Sequence, residues 1–152
     1  MGDKTSSGYC PPELGRVRFA GEGALPAAAA SFDVWSFGVV LWEQLAGRTL
    51  FAQDFANDEL VTLADRTRLC VWRTMSDAEL APVLSNAEAG ATRRQRADAK
   101  HLLRWCLKGD AAARPTVAQA RALAAARAAV HDRWPSGPGV WGGGARLRSE
   151  RG

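Results

Sequence analysis

The sequence predicts a mainly α-helical domain built around one buried central helix, and two observations support that prediction. In residues 32–45 apolar side chains fall on every side, which is typical of a helix that other helices surround. Further along, Ser or Thr is followed three residues later by Glu or Gln at residues 76–79, 92–95 and 116–119. Such capping boxes satisfy backbone N–H groups at a helix start, so each one predicts a further helix.

The central helix has predicted ends as well as a predicted core position. Ser31 offers an N-cap oxygen and Gly47 a C-terminal stop, which is the asymmetry that helix ends prefer. The stretch is too short and too often interrupted by polar residues to span a bilayer, which takes about 20 apolar residues. Asp33 lies at the start of this helix, where a buried acid needs a hydrogen-bond partner.

Shorter elements are predicted on both sides of the central helix. Residues 1–30 are expected to be mainly loop, because Pro11 and Pro12 exclude a regular helix or strand interior. Before the first capping box we expect one helical turn at 13–17, an irregular stretch at 48–57 and a short helix at 58–64. The three boxes then start a helix to 86, a helix to 108 that Gly109 ends, and an Ala-rich helix to 131.

Composition and charge narrow the class of protein. A chain of 152 residues with 47% hydrophobic content is long enough for one domain with a real core. Residues 1–113 carry 13 basic and 14 acidic side chains, whereas residues 114–152 carry 7 Arg against 2 acids. No nucleic-acid motif accompanies this basic end, so we expect a solvated, disordered Gly/Arg tail at 135–152 and no nucleic-acid partner.

Cysteine usage and the absence of a targeting segment predict the compartment. The three cysteines are odd in number and far apart, and no metal-ligand spacing appears among them and the two histidines. We therefore expect no metal site and reduced thiols in a cytoplasmic protein, without a membrane partner. The match of Gly2 and Ser6 to the N-myristoylation pattern is the alternative to that last expectation. The three cysteines are Cys10, Cys70 and Cys106.

Three short motifs carry a resemblance to a known family. They are GYCPPE at 8–13, DVWSFG at 33–38 and LLRWCLKGDAAARPT at 102–116. In this order they resemble the second half of the helical C-terminal lobe of eukaryotic protein kinases, over roughly residues 5–131. The resemblance implies that residues 1–30 hold the end of the activation segment and the following loop, and that 31–134 hold C-lobe helices. It also implies a full-length enzyme that transfers the γ-phosphate of ATP, with magnesium, to protein Ser or Thr, and possibly to Tyr.

The resemblance also implies roles for individual residues. Glu13 and Arg114 would form an ion pair that ties the activation segment to the base of the lobe, the alternative being two unrelated surface charges. Asp33 would be a core acid that accepts hydrogen bonds from the catalytic-loop backbone, the alternative being a plain helix-start acid beside the helix dipole. Residues 6–9 would form the loop that docks the protein substrate. Its named residues are Ser6, Gly8 and Tyr9, and the Ser6 hydroxyl would either assist docking or merely cap a turn.

The motifs that perform phosphoryl transfer are absent from these 152 residues. No glycine-rich loop precedes a predicted strand, and there is no HRD-type or DFG-type motif. We therefore expect a fragment, from a truncated gene model or an alternative start, that binds no ATP or magnesium and has no catalytic residue. Its expected partners are the protein substrate and either the missing N-terminal part of the kinase or another protein that covers an exposed apolar flank. The alternative function is a non-catalytic, kinase-derived helical module that binds a partner protein.

Overall fold

The computed structural model of the protein describes residues 7–87 and 91–128, which are mostly helical, as the sequence predicts. A short 3-10 turn at Ser7–Tyr9 precedes the first helix, a π-helical segment at Arg16–Ala20 follows it, and a second 3-10 turn at Ala111–Ala113 precedes the last helix. In chain order the other elements are α1 (Pro12–Gly15), α2 (Ala30–Ala46), β1 (Gln53–Asp54), β2 (Glu59–Leu60), α3 (Leu63–Cys70), α4 (Asp77–Ala87), α5 (Arg93–Cys106) and α6 (Val117–Ala128).

Helix α2 is the centre of the fold. Helices α4, α5 and α6 all contact it. Its buried residues recur at spacings of three and four, as one face of a helix requires, and they are Val34, Trp35, Gly38, Val39, Trp42 and Ala46. The Trp42 indole N–H donates to the Glu79 carbonyl at 2.8 Å, which joins the centre of α2 to α4. Gly47 ends the helix in the left-handed conformation (φ 68°), so its predicted role is confirmed.

The glycine within α2 permits a close helix contact. A Cβ atom at Gly38 would lie 2.9 Å from Cys106 Cβ and from two side-chain atoms of Leu107. Contacts this short are not tolerated in a packed interior, so a larger residue at 38 would push the end of α5 away. The glycine of the DVWSFG motif therefore sets the distance between the central helix and α5.

Two expectations for the central helix are wrong. Ser31 is not the N-cap, because the helix begins at Ala30 and Ala29 at the cap position makes no side-chain hydrogen bond. Burial on every side is also wrong, because Phe37 and Val40 are each 44% exposed. Helices α4, α5 and α6 cover only part of the circumference, and these two side chains lie outside that part in the described structure.

The region after the central helix differs from its prediction. Instead of an irregular stretch and a helix at 58–64, β1 and β2 form an antiparallel hairpin in which Gln53 lies opposite Leu60. The Asp54 carboxylate accepts hydrogen bonds from the Ala56 N–H at 2.9 Å and from the Asn57 amide at 2.7 Å, which orders the turn. Strands of two residues are too short to produce a recognisable alternation, which is why the pattern did not predict them.

Helix α3 begins later than expected because a threonine caps it. The Thr62 hydroxyl accepts a hydrogen bond from the Asp65 N–H at 3.0 Å, so the first helical residue is Leu63. The apolar residues just before it belong to the hairpin and its exit, where Val61 N–H donates to the Ala52 carbonyl at 2.9 Å. The predicted helix at 58–64 therefore combined the end of a hairpin with the start of a helix.

The three predicted capping boxes are confirmed, one each at the starts of α4, α5 and α6. In the box at Thr92 the Gln95 N–H donates to the Thr92 hydroxyl at 3.2 Å, and the Gln95 side chain accepts the Thr92 N–H at 2.7 Å. The boxes at 76–79 and 116–119 have the same reciprocal bonds. The predicted end of the last helix at 131 and the predicted tail at 135–152 lie outside the described residues.

Gly109 has a different role from the predicted one. Helix α5 already ends at Cys106, so Gly109 is not its stop. The Gly109 N–H donates to the Arg73 carbonyl at 2.7 Å, and a Cβ atom at Gly109 would lie only 2.2 Å from the Trp72 carbonyl oxygen. A glycine is needed here because two backbone segments touch, and this contact fixes the turn that leads to Arg114.

Candidate functional site

The first part of the candidate site is an ion pair at the base of the domain. Glu13 lies in α1, directly after Pro12, and Arg114 lies in the turn before α6. The two Arg114 terminal nitrogens donate separately to the two Glu13 carboxylate oxygens, at 2.8 and 2.7 Å. This bidentate arrangement joins residues 101 positions apart in the chain. The structure thus brings these two predicted residues together.

The Arg114 guanidinium is fully satisfied although its side chain is 0% exposed. Besides the two bonds to Glu13, its N–H groups donate to three backbone carbonyls. Together these bonds use all five of the donors that a guanidinium offers. The guanidinium carbon also lies 5.2 Å from the ring centroid of Trp35, in cation–π contact. The three carbonyls belong to Lys108, Ser31 and Gly109.

The second part of the site is the loop at 7–10, which is held against the central helix. The Tyr9 hydroxyl donates to Glu43 Oε2 at 3.1 Å, and the Ser36 hydroxyl donates to the Tyr9 carbonyl at 2.9 Å. Ser36 and Glu43 are seven residues apart, so they lie on the same face of α2 about two turns from each other. One face of α2 therefore forms hydrogen bonds to both the side chain and the backbone of Tyr9.

The hairpin holds the loop from the other side. The Ser7 N–H and the Ser7 hydroxyl both donate to the Asp58 carbonyl at 2.9 Å, and the Leu60 N–H donates to the Ser7 oxygen at 2.7 Å. The Gln53 side chain lies over Gly8 so closely that a Cβ atom there would be within 2.3 Å of three of its atoms. A side chain at residue 8 would therefore have to displace the flexible amide end of Gln53.

Glu43 connects the three elements that meet at this loop. Its Oε1 atom accepts hydrogen bonds from the Leu50 N–H and from the Gln53 side-chain amide, both at 3.3 Å. Its Oε2 atom accepts the bond from Tyr9. Burial raises the pKa of Tyr9 above its ordinary value, and the nearby Glu43 carboxylate raises it further. The phenol therefore stays protonated at neutral pH and remains a hydrogen-bond donor.

The predicted site residues have different outcomes. Gly8 and Tyr9 lie in the loop just before the ion pair, whereas Ser6 lies outside the described residues. The expected burial of Asp33 is wrong, since its side chain is exposed and has no hydrogen-bond or ionic partner in the described parts of the chain. The segment that the resemblance places against it, a catalytic-loop backbone, does not occur in this sequence. Its role as a core acid in a complete domain stays a prediction.

Sequence reasoning misses the residues that position the loop. The apolar pattern of the central helix marks Glu43 only as a polar interruption, and it does not single out Ser7 or Gln53. A signal for Glu43 is present, because Ser36 and Glu43 are seven residues apart and therefore share one face of the predicted helix. No comparable signal exists for Gln53, whose role depends on a hairpin that the pattern does not predict.

The described residues show neither a metal-binding cluster nor a membrane-spanning helix, and two of their thiols are poorly reactive. Across residues 7–87 and 91–128 no group of His, Cys, Asp and Glu side chains is arranged to hold a metal ion. Within those ranges, too, every helix is too short or too polar to cross a membrane. Burial raises the pKa of Cys10 to about 12 and that of Cys106 to about 11, so both thiols stay protonated and poorly nucleophilic at neutral pH.

Comparison with known proteins bears on the whole arrangement. The family model of the protein kinase domain matches residues 3–126, which include the loop at 7–10, the central helix and both members of the ion pair. Searches of curated proteins and of solved structures return no match. Because one family model covers most of the chain and the described fold is mostly helical around one central helix, the chain belongs to the protein kinase domain family.

Proposed function

We propose that this chain forms the substrate-docking and structural part of a protein kinase C-lobe. In this proposal the loop at 6–9 receives the protein substrate beside the hydroxyl that is phosphorylated. The ion pair of Glu13 and Arg114 fixes the position of the segment after that loop relative to the base of the lobe. ATP, magnesium and the catalytic groups would be bound by a part of the kinase that this sequence does not contain, and the thiols would remain reduced in the cytoplasm.

The observation that supports the proposal is the fixation of the loop on two sides. The central helix holds Tyr9 through Glu43 and Ser36, and the hairpin holds Ser7 through Asp58. A loop that is already ordered loses little conformational entropy when a peptide binds, so this geometry favours docking.

Peptide binding by the recombinant chain tests this proposal. We expect peptides containing Ser, Thr or Tyr to bind the chain without ATP in a fluorescence-anisotropy titration. Tyr9→Phe should weaken that binding by about fivefold or more, because it removes a hydrogen bond to a carboxylate while the ring remains. Ser85→Ala is the matched hydroxyl control, since Ser85 is exposed on α4 and, among the described residues, its hydroxyl donates only to the Ala81 carbonyl. If no peptide binds, or if both variants bind as the wild type does, docking by this loop is excluded.

A second candidate function is a non-catalytic module that binds a partner protein. The observation that favours it is the exposed apolar flank of α2, formed by Phe37 and Val40. An immunoblot of the endogenous protein separates the two candidates. A band above roughly 30 kDa, which two lobes of ordinary domain size require, supports the kinase. A band near 16.3 kDa supports the interaction module, because the cell then makes this chain by itself.

A further inference from the structure

The hairpin that holds the loop at 7–10 carries large apolar side chains that are exposed to solvent. Phe55 in its turn is 68% exposed, Val61 directly after β2 is 58% exposed, and Leu63 at the start of α3 is 78% exposed. These three residues lie within nine positions of the chain. Single exposed apolar residues are ordinary, whereas a group of them on one element indicates a surface that another molecule covers.

The backbone of the hairpin places two of these side chains on its outer face. Leu60 is fully buried, and successive side chains of an extended strand point to opposite faces, so Val61 points away from the core. Thr62 is also extended (φ −102°, ψ 145°), which directs Leu63 to the same side as Val61. The Val61 N–H donates to the Ala52 carbonyl at 2.9 Å, so the residue beside Val61 on the other strand is small and does not shield it.

This outer face is continuous with the loop at 7–10. The Leu60 N–H donates to the Ser7 hydroxyl oxygen at 2.7 Å, and both Ser7 donors bond to the Asp58 carbonyl at 2.9 Å. The backbone of Leu60 therefore touches the loop, while the side chain of its neighbour Val61 faces solvent. Because an extended residue spans about 3.3 Å, a peptide that lies on the loop reaches the hairpin surface within a few residues.

The same hairpin is acidic. Residues 52–62 contain Asp54, Asp58 and Glu59 and no basic residue. Glu59 has only long contacts to two arginine side chains, at 3.8 and 4.0 Å. Asp54 has no ionic partner among the described residues, and hydrogen bonds from the Asn57 side chain and from backbone N–H groups lower its pKa, so it stays negative at neutral pH. Exposed apolar side chains among such acids favour a partner that is both apolar and basic.

We propose that the outer face of the hairpin extends the loop at 7–10 and selects protein substrates whose residues around the phosphorylated hydroxyl are apolar and basic. The inference rests on the proposed docking function, because it concerns the same bound peptide and adds which flanking residues the chain prefers. Apolar side chains of the substrate pack on Val61 and Leu63, and basic ones lie near Asp54 and Glu59. An acidic segment meets like charges there and is rejected.

Three peptides test this preference on the wild-type chain. They share one central serine and carry flanks of leucine and lysine, of leucine and glutamate, or of glycine and serine. In fluorescence-anisotropy titrations the leucine–lysine peptide should bind at least about tenfold more tightly than either of the others, because only its flanks match both the apolar and the acidic character of the hairpin. Added NaCl should reduce its advantage over the leucine–glutamate peptide, since salt screens exposed charges.

Matched variants assign the preference to the hairpin. Val61→Ser should weaken binding of the leucine–lysine peptide about fivefold. Val71→Ser, at a valine that is 67% exposed beyond the other end of α3, should leave this binding unchanged. Asp54→Asn should weaken the same peptide about threefold and leave the glycine–serine peptide unaffected, whereas Glu22→Gln, at an exposed acid of a different cleft, should change neither. Far-UV circular dichroism checks that every variant keeps its helices.

The outcomes separate this inference from the docking function. Equal affinity for the three peptides overturns the role of the hairpin, as do tighter binding of the leucine–glutamate peptide or equal effects of Val61→Ser and Val71→Ser. In each of those cases the effect of Tyr9→Phe on peptide binding still tests the docking function by itself. If none of the peptides binds, both proposals are overturned.

Discussion

At the scale of single residues, Arg114 brings a full positive charge into the interior, where its side chain is 0% exposed. A buried charge is tolerated only when it is paired and hydrogen-bonded, and all five guanidinium donors have acceptors here. Glu13 supplies the neutralising charge and two of those acceptors. The three carbonyls cannot replace it, because they carry no net charge.

Removal of either member of this pair should therefore destabilise the fold strongly. We expect Glu13→Ala and Arg114→Ala each to lower the free energy of unfolding by about 3–5 kcal/mol, because each leaves the other charge uncompensated. The double variant should lower the free energy of unfolding by little more than either single variant does. Urea denaturation followed by circular dichroism measures all three values, and additive losses in the double-mutant cycle would contradict the pairing.

An exposed ion pair provides the comparison for this prediction. Lys100 Nζ lies 2.9 Å from Asp77, whose side chain is 78% exposed, and Arg104 contacts the same carboxylate. Because water solvates these charges in any case, Lys100→Ala should cost only about 0–1 kcal/mol in the same assay. The difference between the two pairs then measures the effect of burial at nearly equal distances between charges.

At the scale of elements, the helices depend on local signals that the sequence displays. The box at Thr92 satisfies two backbone N–H groups at the start of α5, and α5 contributes Leu102, Leu103 and Cys106 to the core. A short cap thus fixes where a core-forming helix begins. The hairpin has no such local signal, and it owes its position to the bonds that Ser7 makes with Asp58 and Leu60.

Loss of the cap should have a measurable and limited effect. We expect Thr92→Ala to lower the free energy of unfolding by about 1 kcal/mol, because the Gln95 N–H loses its acceptor, and Thr92→Ser to restore most of it. Arg94→Ala, on the exposed side of the same first turn, should change it by less than about 0.5 kcal/mol. Thermal and urea unfolding check these values, and a cost for Thr92→Ala no larger than that for Arg94→Ala would show that the box is not stabilising.

At the scale of the whole molecule, the chain belongs to the protein kinase family, but its sequence lacks motifs on which phosphoryl transfer depends. Phosphoryl transfer depends on positioning the phosphates and neutralising their charge, and the sequence has neither an HRD-type nor a DFG-type motif. In the described ranges no group of three or more His, Cys, Asp or Glu side chains is arranged to hold a metal ion. The family therefore accounts for the shape of this chain without implying that it performs the reaction alone.

Nucleotide binding and turnover should both be absent from the isolated chain. Isothermal titration calorimetry with magnesium and ATP should give no binding heat, and a phosphate-transfer assay with a generic protein substrate should give no product. A preparation of the Arg114→Ala variant, purified in the same way, controls for contaminating kinases. Activity in the wild type that exceeds the activity of this control would contradict the prediction.

The sequence by itself determined the helical class and the starts of three helices, since those depend on residues within about four positions of each other. It also indicated the family, through the order of three short motifs along the chain. The motifs also paired Glu13 with Arg114, which the structure places 2.7 Å apart. Only the tertiary structure decided that Glu43 holds Tyr9, that a hairpin holds Ser7, and that Asp33 is exposed. Each of those outcomes depends on which distant segment lies opposite a side chain, and local periodicity carries no information about that choice.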